Sequence, residues 1–283
     1  MDVEPDREFD AGAPRDEPVR RIRRFNKVPI RYLLPNLITL LALCSGITAI
    51  RLGVQGRFEL AVGAVLISVM LDAIDGRLAR LLKGTSRFGA ELDSLADFVN
   101  FGVAPAMLIY FWSLNRLHTG GWIVSLVLAI CCALRLARFN VALDDPKKPA
   151  WASRFFTGAP APAGASLALL PMYLGFLADL NDGADYALLI APYVVAVALL
   201  MVSRLPTYSG KNFSRAVSRE LFLPILGFGV FAIIMLVSYP WGSLTFAAVV
   251  YLGLIPLGMR SYRRHLAADA AAPAAQPSNS APE

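Results

Sequence analysis

The chain has 283 residues, 56% of them hydrophobic and only 17% charged, with a mean hydropathy of +0.54. A soluble domain carries roughly 25% charged residues, so the composition and the repeated apolar runs indicate an all-α polytopic membrane protein. The net charge of +6 is scattered beside apolar segments, as a topology signal is, which argues against a nucleic-acid partner.

Residues 1–27 are polar, mixed in charge and rich in Pro, Asp and Arg, and are expected to form a disordered cytoplasmic tail. The first apolar run starts too late for a signal peptide. Residues 28–266 are expected to form a transmembrane domain, and the Ala-, Pro- and Ser-rich residues 267–283 a second disordered cytoplasmic tail. Within the domain, apolar segments fall at 33–50, 58–82, 90–113, 121–140, 160–178, 186–203, 221–238 and 241–259. Each is long enough for a helix to cross a hydrocarbon core of about 30 Å. A tight turn over 238–242 is expected between the last two, and that short junction leaves six or seven spans open as well as eight. Cys44, Cys131 and Cys132 all lie in apolar runs with no C-x-x-C partner and read as buried, inert thiols.

Basic residues alternate between successive connections. Arg15, Arg20, Arg21, Arg23, Arg24, Lys27 and Arg31 precede the first span, and Arg77, Arg80, Lys83 and Arg87 lie in the second connection. The fourth holds Arg135, Arg138, Lys147, Lys148 and Arg154, the sixth Arg204, Lys211, Arg215 and Arg219, and Arg260, Arg263 and Arg264 follow the last span. The connections between carry Arg51, Arg57 and Arg116 alone, and the fifth carries Asp179, Asp182 and Asp185. The positive-inside rule then gives an even span count and both termini cytoplasmic, with residues 77–89 at the cytoplasmic face.

That face receives four carboxylates. Asp72 and Asp75 lie three apart near the end of the second segment, and Asp93 and Asp97 four apart near the start of the third. A carboxylate at membrane depth costs about 2.5–3.5 kcal/mol even on insertion scales, and a bound cation is the simplest common compensation. The two helices must run antiparallel, so their carboxylate stripes converge, while Gly76, Ala79 and Gly89 remove bulk where helices pack or a ligand enters. Oxygen ligands without His or Cys suit Mg²⁺, Mn²⁺ or Ca²⁺. Four carboxylates suffice for two ions about 3.5–4 Å apart, the spacing that clamps a phosphoryl group. Arg80, with Lys83 and Arg87, adds positive charge for a phosphate-bearing substrate. The plainer alternative, interfacial salt bridges with Arg77, Arg80 and Arg87, accounts for one or two aspartates but not for four on facing stripes.

The full pattern, D-x2-D-G-x2-A-R-x8-G-x3-D-x3-D, matches at Asp72, Asp75, Gly76, Ala79, Arg80, Gly89, Asp93 and Asp97. On these residues the chain resembles the CDP-alcohol phosphatidyltransferase family. The resemblance implies a six-helix membrane core, a two-metal site with Mg²⁺ or Mn²⁺, a homodimer, and displacement of CMP from CDP-diacylglycerol by an alcohol. It also implies that Asp72, Asp75, Asp93 and Asp97 ligate the ions and that Asp97 is the general base. Gly76, Ala79, Arg80 and Gly89 would line the CDP-lipid pocket.

Residues 31–39, 134–141, 156–163 and 201–211 further resemble the bacterial membrane-bound phosphatidylserine synthases, although Ala159 stands where Leu is expected. The implied acceptor is L-serine, whose carboxylate needs a cation. Arg135 and Arg138 beside Asn140 are candidates, with Lys211 and Arg154 behind them, and ordinary flanking charge is the competing explanation. Choline or glycerol 3-phosphate remains an alternative acceptor. A divalent-cation transporter is the alternative of another class, and it is disfavoured because transport sites lie near the bilayer midplane.

Overall fold

In a computed structural model, residues 30–82, 84, 86–143, 155–203, 205–208 and 219–271 are described. The expected tail 1–27 and the candidates Lys83, Arg154 and Lys211 lie outside these residues.

The architecture is all-α. Helices α1 (Ile30–Val54) and α2 (Phe58–Leu81) form an antiparallel pair. Gly56, at φ 73°, supplies the left-handed residue that ends α1, and the Arg57 amide returns to the Leu52 carbonyl at 2.9 Å. The third segment comprises α3 (Arg87–Phe98), a π-helical turn over Val99–Val103 and α4 (Ala104–Trp112). Pro105, lacking an N–H, follows that turn directly, and the Ala104 amide donates five residues back to Val99. Helix α5 (Thr119–Leu143) follows, then α6 (Ala161–Ala168), α7 (Leu170–Leu177), α8 (Ala187–Val202), α9 (Arg219–Ser238) and α10 (Pro240–Ala271).

The eight expected apolar segments thus all appear as helix. Among the described residues, five stretches are long and apolar enough to cross a membrane: Leu33–Val54, Arg87–Trp112, Thr119–Val141, Ala184–Val202 and Pro240–Met259. In α2 the acidic and basic residues that make the site interrupt the apolar run. The segment expected over 160–178 is broken at Leu169, because Pro171 has no amide to give the Leu167 carbonyl. Tyr193 of α8 donates its hydroxyl to that carbonyl at 2.8 Å. Pro160 and Pro162 stand at the cap and first turn of α6, as expected for a helix start. Ser238 ends α9 and Pro240 begins α10, which gives the expected tight junction. Helix α10 continues to Ala271, five residues into the segment expected to be a disordered tail.

Two three-residue strands, β1 (Phe155–Thr157) and β2 (Pro206–Tyr208), pair antiparallel with Phe156 opposite Thr207. They tie the start of α6 to the end of α8 without altering the helical class. The core lies where α2, α4, α5, α6 and α8 meet, around Phe101, Leu108, Trp112, Leu128, Leu167 and Met201. Cys131 and Cys132 belong to it, whereas Cys44 is exposed on α1, contrary to the reading of all three thiols as buried. Its position in the helix turns it outward, where an apolar run faces lipid.

Candidate functional site

The site forms where the start of α1, the end of α2 and the start of α3 meet. Ser86 caps α3 in extended conformation, and its hydroxyl accepts from the Gly89 amide at 2.9 Å. The cap fixes where α3 begins, and so places Asp93 opposite α2. One carboxylate oxygen from each of Asp72, Asp75 and Asp93 lies within 4.8 Å of the other two. A hard cation at 2.0–2.6 Å from each ligand spans oxygen separations up to about 5 Å, so this donor set fits one shared ion.

Asp75 is the most enclosed of the four, 3% exposed. Its Oδ2 accepts from the Thr39 hydroxyl of α1 at 2.6 Å, while its Oδ1 is buried with no hydrogen-bond partner. Asp97, one turn beyond Asp93, reaches the Asp72 carboxyl and leaves its own Oδ1 buried and unpartnered. Four carboxylates held together, with buried oxygens unsatisfied, are the electrostatic arrangement that a cation relieves.

Beside them opens a cavity of about 190 Å³, lined by Pro35, Asn36, Thr39, Asp75, Gly76, Ala79, Gly84, Ser86, Gly89, Ala90 and Asp93. Gly76, Ala79 and Gly89 therefore line one cavity. A Cβ on Gly76 would meet nothing within 4 Å, whereas one on Gly89 would press on Asn36 Oδ1 at 2.8 Å. The former glycine widens the cavity; the latter lets α1 approach α3. Arg80 is not part of the wall. It is exposed, and its Nε donates to the Gly76 carbonyl at 2.9 Å.

The candidate acceptor residues diverge. Arg135 is half-buried on α5, stacked 5.7 Å from the Phe139 ring centroid, and near enough to Asp97 to feel its charge. Arg138 is exposed and donates to the Val202 carbonyl at the end of α8, a structural contact that uses one of its five N–H groups. Asn140 donates to Ser94 of α3 at 2.9 Å and so links α5 to the helix that carries Asp93 and Asp97.

Thr39, Asn36 and Ser86 were not singled out as site residues. Asn36 and Thr39 do form an i, i+3 polar pair in an otherwise apolar helix, a readable sign of one polar face. Nothing in the local sequence says that this face meets Asp75.

The profile of the family described as CDP-alcohol phosphatidyltransferase matches residues 32–203, and that of CDP-alcohol phosphatidyltransferase 2 matches residues 220–256. Among curated proteins, the CDP-diacylglycerol–serine O-phosphatidyltransferase of Mycobacterium bovis is 36% identical over 234 residues, 82% of this chain and 79% of its own length. The protein of the same name from Mycobacterium leprae is 41% identical over 62% of this chain, and this chain spans just over half (57%) of that relative. The one from Methanocaldococcus jannaschii is 33% identical over 73% of this chain and 90% of its own length.

Proposed function

The chain belongs to the CDP-alcohol phosphatidyltransferase family, and we propose that it transfers the phosphatidyl group of CDP-diacylglycerol to L-serine, releasing CMP. The observation that carries this reading is the convergence of Asp72, Asp75 and Asp93 beside a cavity walled by Gly76, Ala79 and Gly89. The relatives' printed names supply the acceptor.

In this reading the diphosphate lies against Gly76, Ala79 and Gly89, at the start of α3, where the positive end of the helix dipole favours an anion. Asp72, Asp75, Asp93 and Asp97 hold two divalent ions, Mg²⁺ or Mn²⁺, which when bound supply the positive charge that offsets the diphosphate. Arg135 faces the serine carboxylate, and Asp97 takes the proton from the serine hydroxyl. The serine oxygen bonds to the phosphorus bearing diacylglycerol as the bridge to CMP breaks, and CMP leaves with the bonding pair. Orientation and charge placement supply most of the rate. The site faces the cytoplasm of a bacterial inner membrane, both termini lie on that side, and the working unit is a homodimer.

Membranes containing the protein, given CDP-diacylglycerol and labelled serine, choline or glycerol 3-phosphate in parallel, test the acceptor. Serine alone is expected to yield labelled lipid and equimolar CMP. Lipid product from another alcohol and none from serine would contradict the proposal.

A further inference from the structure

The π-helical turn just past Asp97 presents Asn100, 1% exposed, with neither its side-chain nitrogen nor its side-chain oxygen hydrogen-bonded. A buried carboxamide without partners costs several kcal/mol in an apolar setting, yet α1 is shaped to receive this one. Gly46 stands opposite, and a Cβ there would collide with Asn100 Oδ1. The backbone is adjusted too, since the π turn over Val99–Val103 begins between Asp97 and Asn100. Such turns recur at functional sites because they re-aim side chains.

The nearest polar group along the helix with the same deficit is Asp97, whose Oδ1 is also buried and unpartnered. Residues three apart are neighbours on one helix face, with Cβ atoms about 5–6 Å apart, a gap that one water spans between two polar side chains. An amide donor and acceptor on one side and a carboxylate oxygen on the other give that water the partners a buried water needs.

Resting on the activity proposed above, we infer that Asn100 is a positioning residue for Asp97: through one buried water its carboxamide holds the inner carboxylate oxygen, leaving the outer one to the acceptor hydroxyl and the ions. Gly46 serves the same purpose by admitting the carboxamide.

Three variants in the full-length protein test this. Asn100→Leu keeps the volume and removes both hydrogen-bonding groups, and its kcat is expected to fall about 10–100-fold, the range for loss of a group that orients a ligand, with both KM values within about twofold. Asn100→Ser retains a hydroxyl for the water and is expected to regain most of that loss. Gly46→Ala displaces the carboxamide and should lower kcat in the same direction. A second readout needs no turnover: the Mn²⁺ concentration giving half-maximal thermal protection of the solubilised protein should rise about tenfold in Asn100→Leu and little in Asn100→Ser. A Leu variant with the wild-type kcat and Mn²⁺ midpoint overturns the inference. So does a Ser variant no better than Leu when both lose activity only in step with folded protein. If the wild-type protein makes no lipid from serine, the activity reading fails, and the Mn²⁺ midpoints alone decide the role of Asn100.

Discussion

The two ends of the bundle use small residues against large or polar ones, yet they arrive at different results. At the end where α4 meets α7, Trp112 is 2% exposed and lies against Gly175 and Gly183, where any Cβ would overlap the indole. The Gly183 amide donates to the Trp112 carbonyl at 3.0 Å and the Ser113 hydroxyl donates to the Gly183 carbonyl at 2.8 Å. Phe176 bridges Trp112 and Trp241, with ring centroids 6.4 and 4.6 Å away. The glycines there are filled by an aromatic ring, whose indole N–H is itself buried without a hydrogen-bond partner. At the other end Gly76 faces open space, a cavity remains, and Asp75, Asp97 and Asn100 hold polar atoms without partners. One end is filled by its own aromatic ring; the other keeps a cavity beside buried carboxylate oxygens that lack partners.

The comparison predicts that substitutions at the two ends separate activity from stability. The largest effect on activity belongs to Asp93→Asn and Asp97→Asn, which keep shape and remove charge. A lost metal ligand removes several kcal/mol of transition-state stabilisation, so CMP release should fall about a thousandfold while thermal unfolding without added metal stays near wild type. Comparable activity in either variant would erase the distinction. Trp112→Ala should do the converse: a vacated indole site costs about 3–5 kcal/mol of stability, seen as a lower unfolding midpoint in detergent, with KM for CDP-diacylglycerol unchanged. A raised KM there would show that the closed end also shapes the site.

Thr39→Val is predicted to have an intermediate effect. It deletes the 2.6 Å hydrogen bond to Asp75, and a bond to a charged group is worth about 1.5–3 kcal/mol. A tenfold or somewhat larger loss of kcat/KM is expected, measured as CMP release at subsaturating lipid. An unaltered rate would mean that Asp75 is held by its helix alone.

The helical class and the carboxylate stripes were legible in the chain because both depend on spacing within one or two elements. Asp72, Asp75 and Asp93 converge as the antiparallel turn requires, Asp97 reaches Asp72, and Gly76, Ala79 and Gly89 line one cavity. Contributions from a third helix were not legible. Thr39 touches Asp75 from 36 positions away, and no local period encodes that pairing. The contact of Arg80 was not legible either: its Nε turns back to the Gly76 carbonyl. The break at Leu169 was encoded by Pro171, yet a long apolar run concealed it.

The central claim is that the open end is completed by a divalent cation and then transfers a phosphatidyl group. Purified protein stripped with EDTA and returned to Mg²⁺ or Mn²⁺, with CMP release from CDP-diacylglycerol and serine followed throughout, tests it most directly. The account predicts no CMP from the stripped protein and recovery on adding either ion to the wild type, but not to Asp93→Asn. Undiminished CMP release from the stripped protein would contradict it.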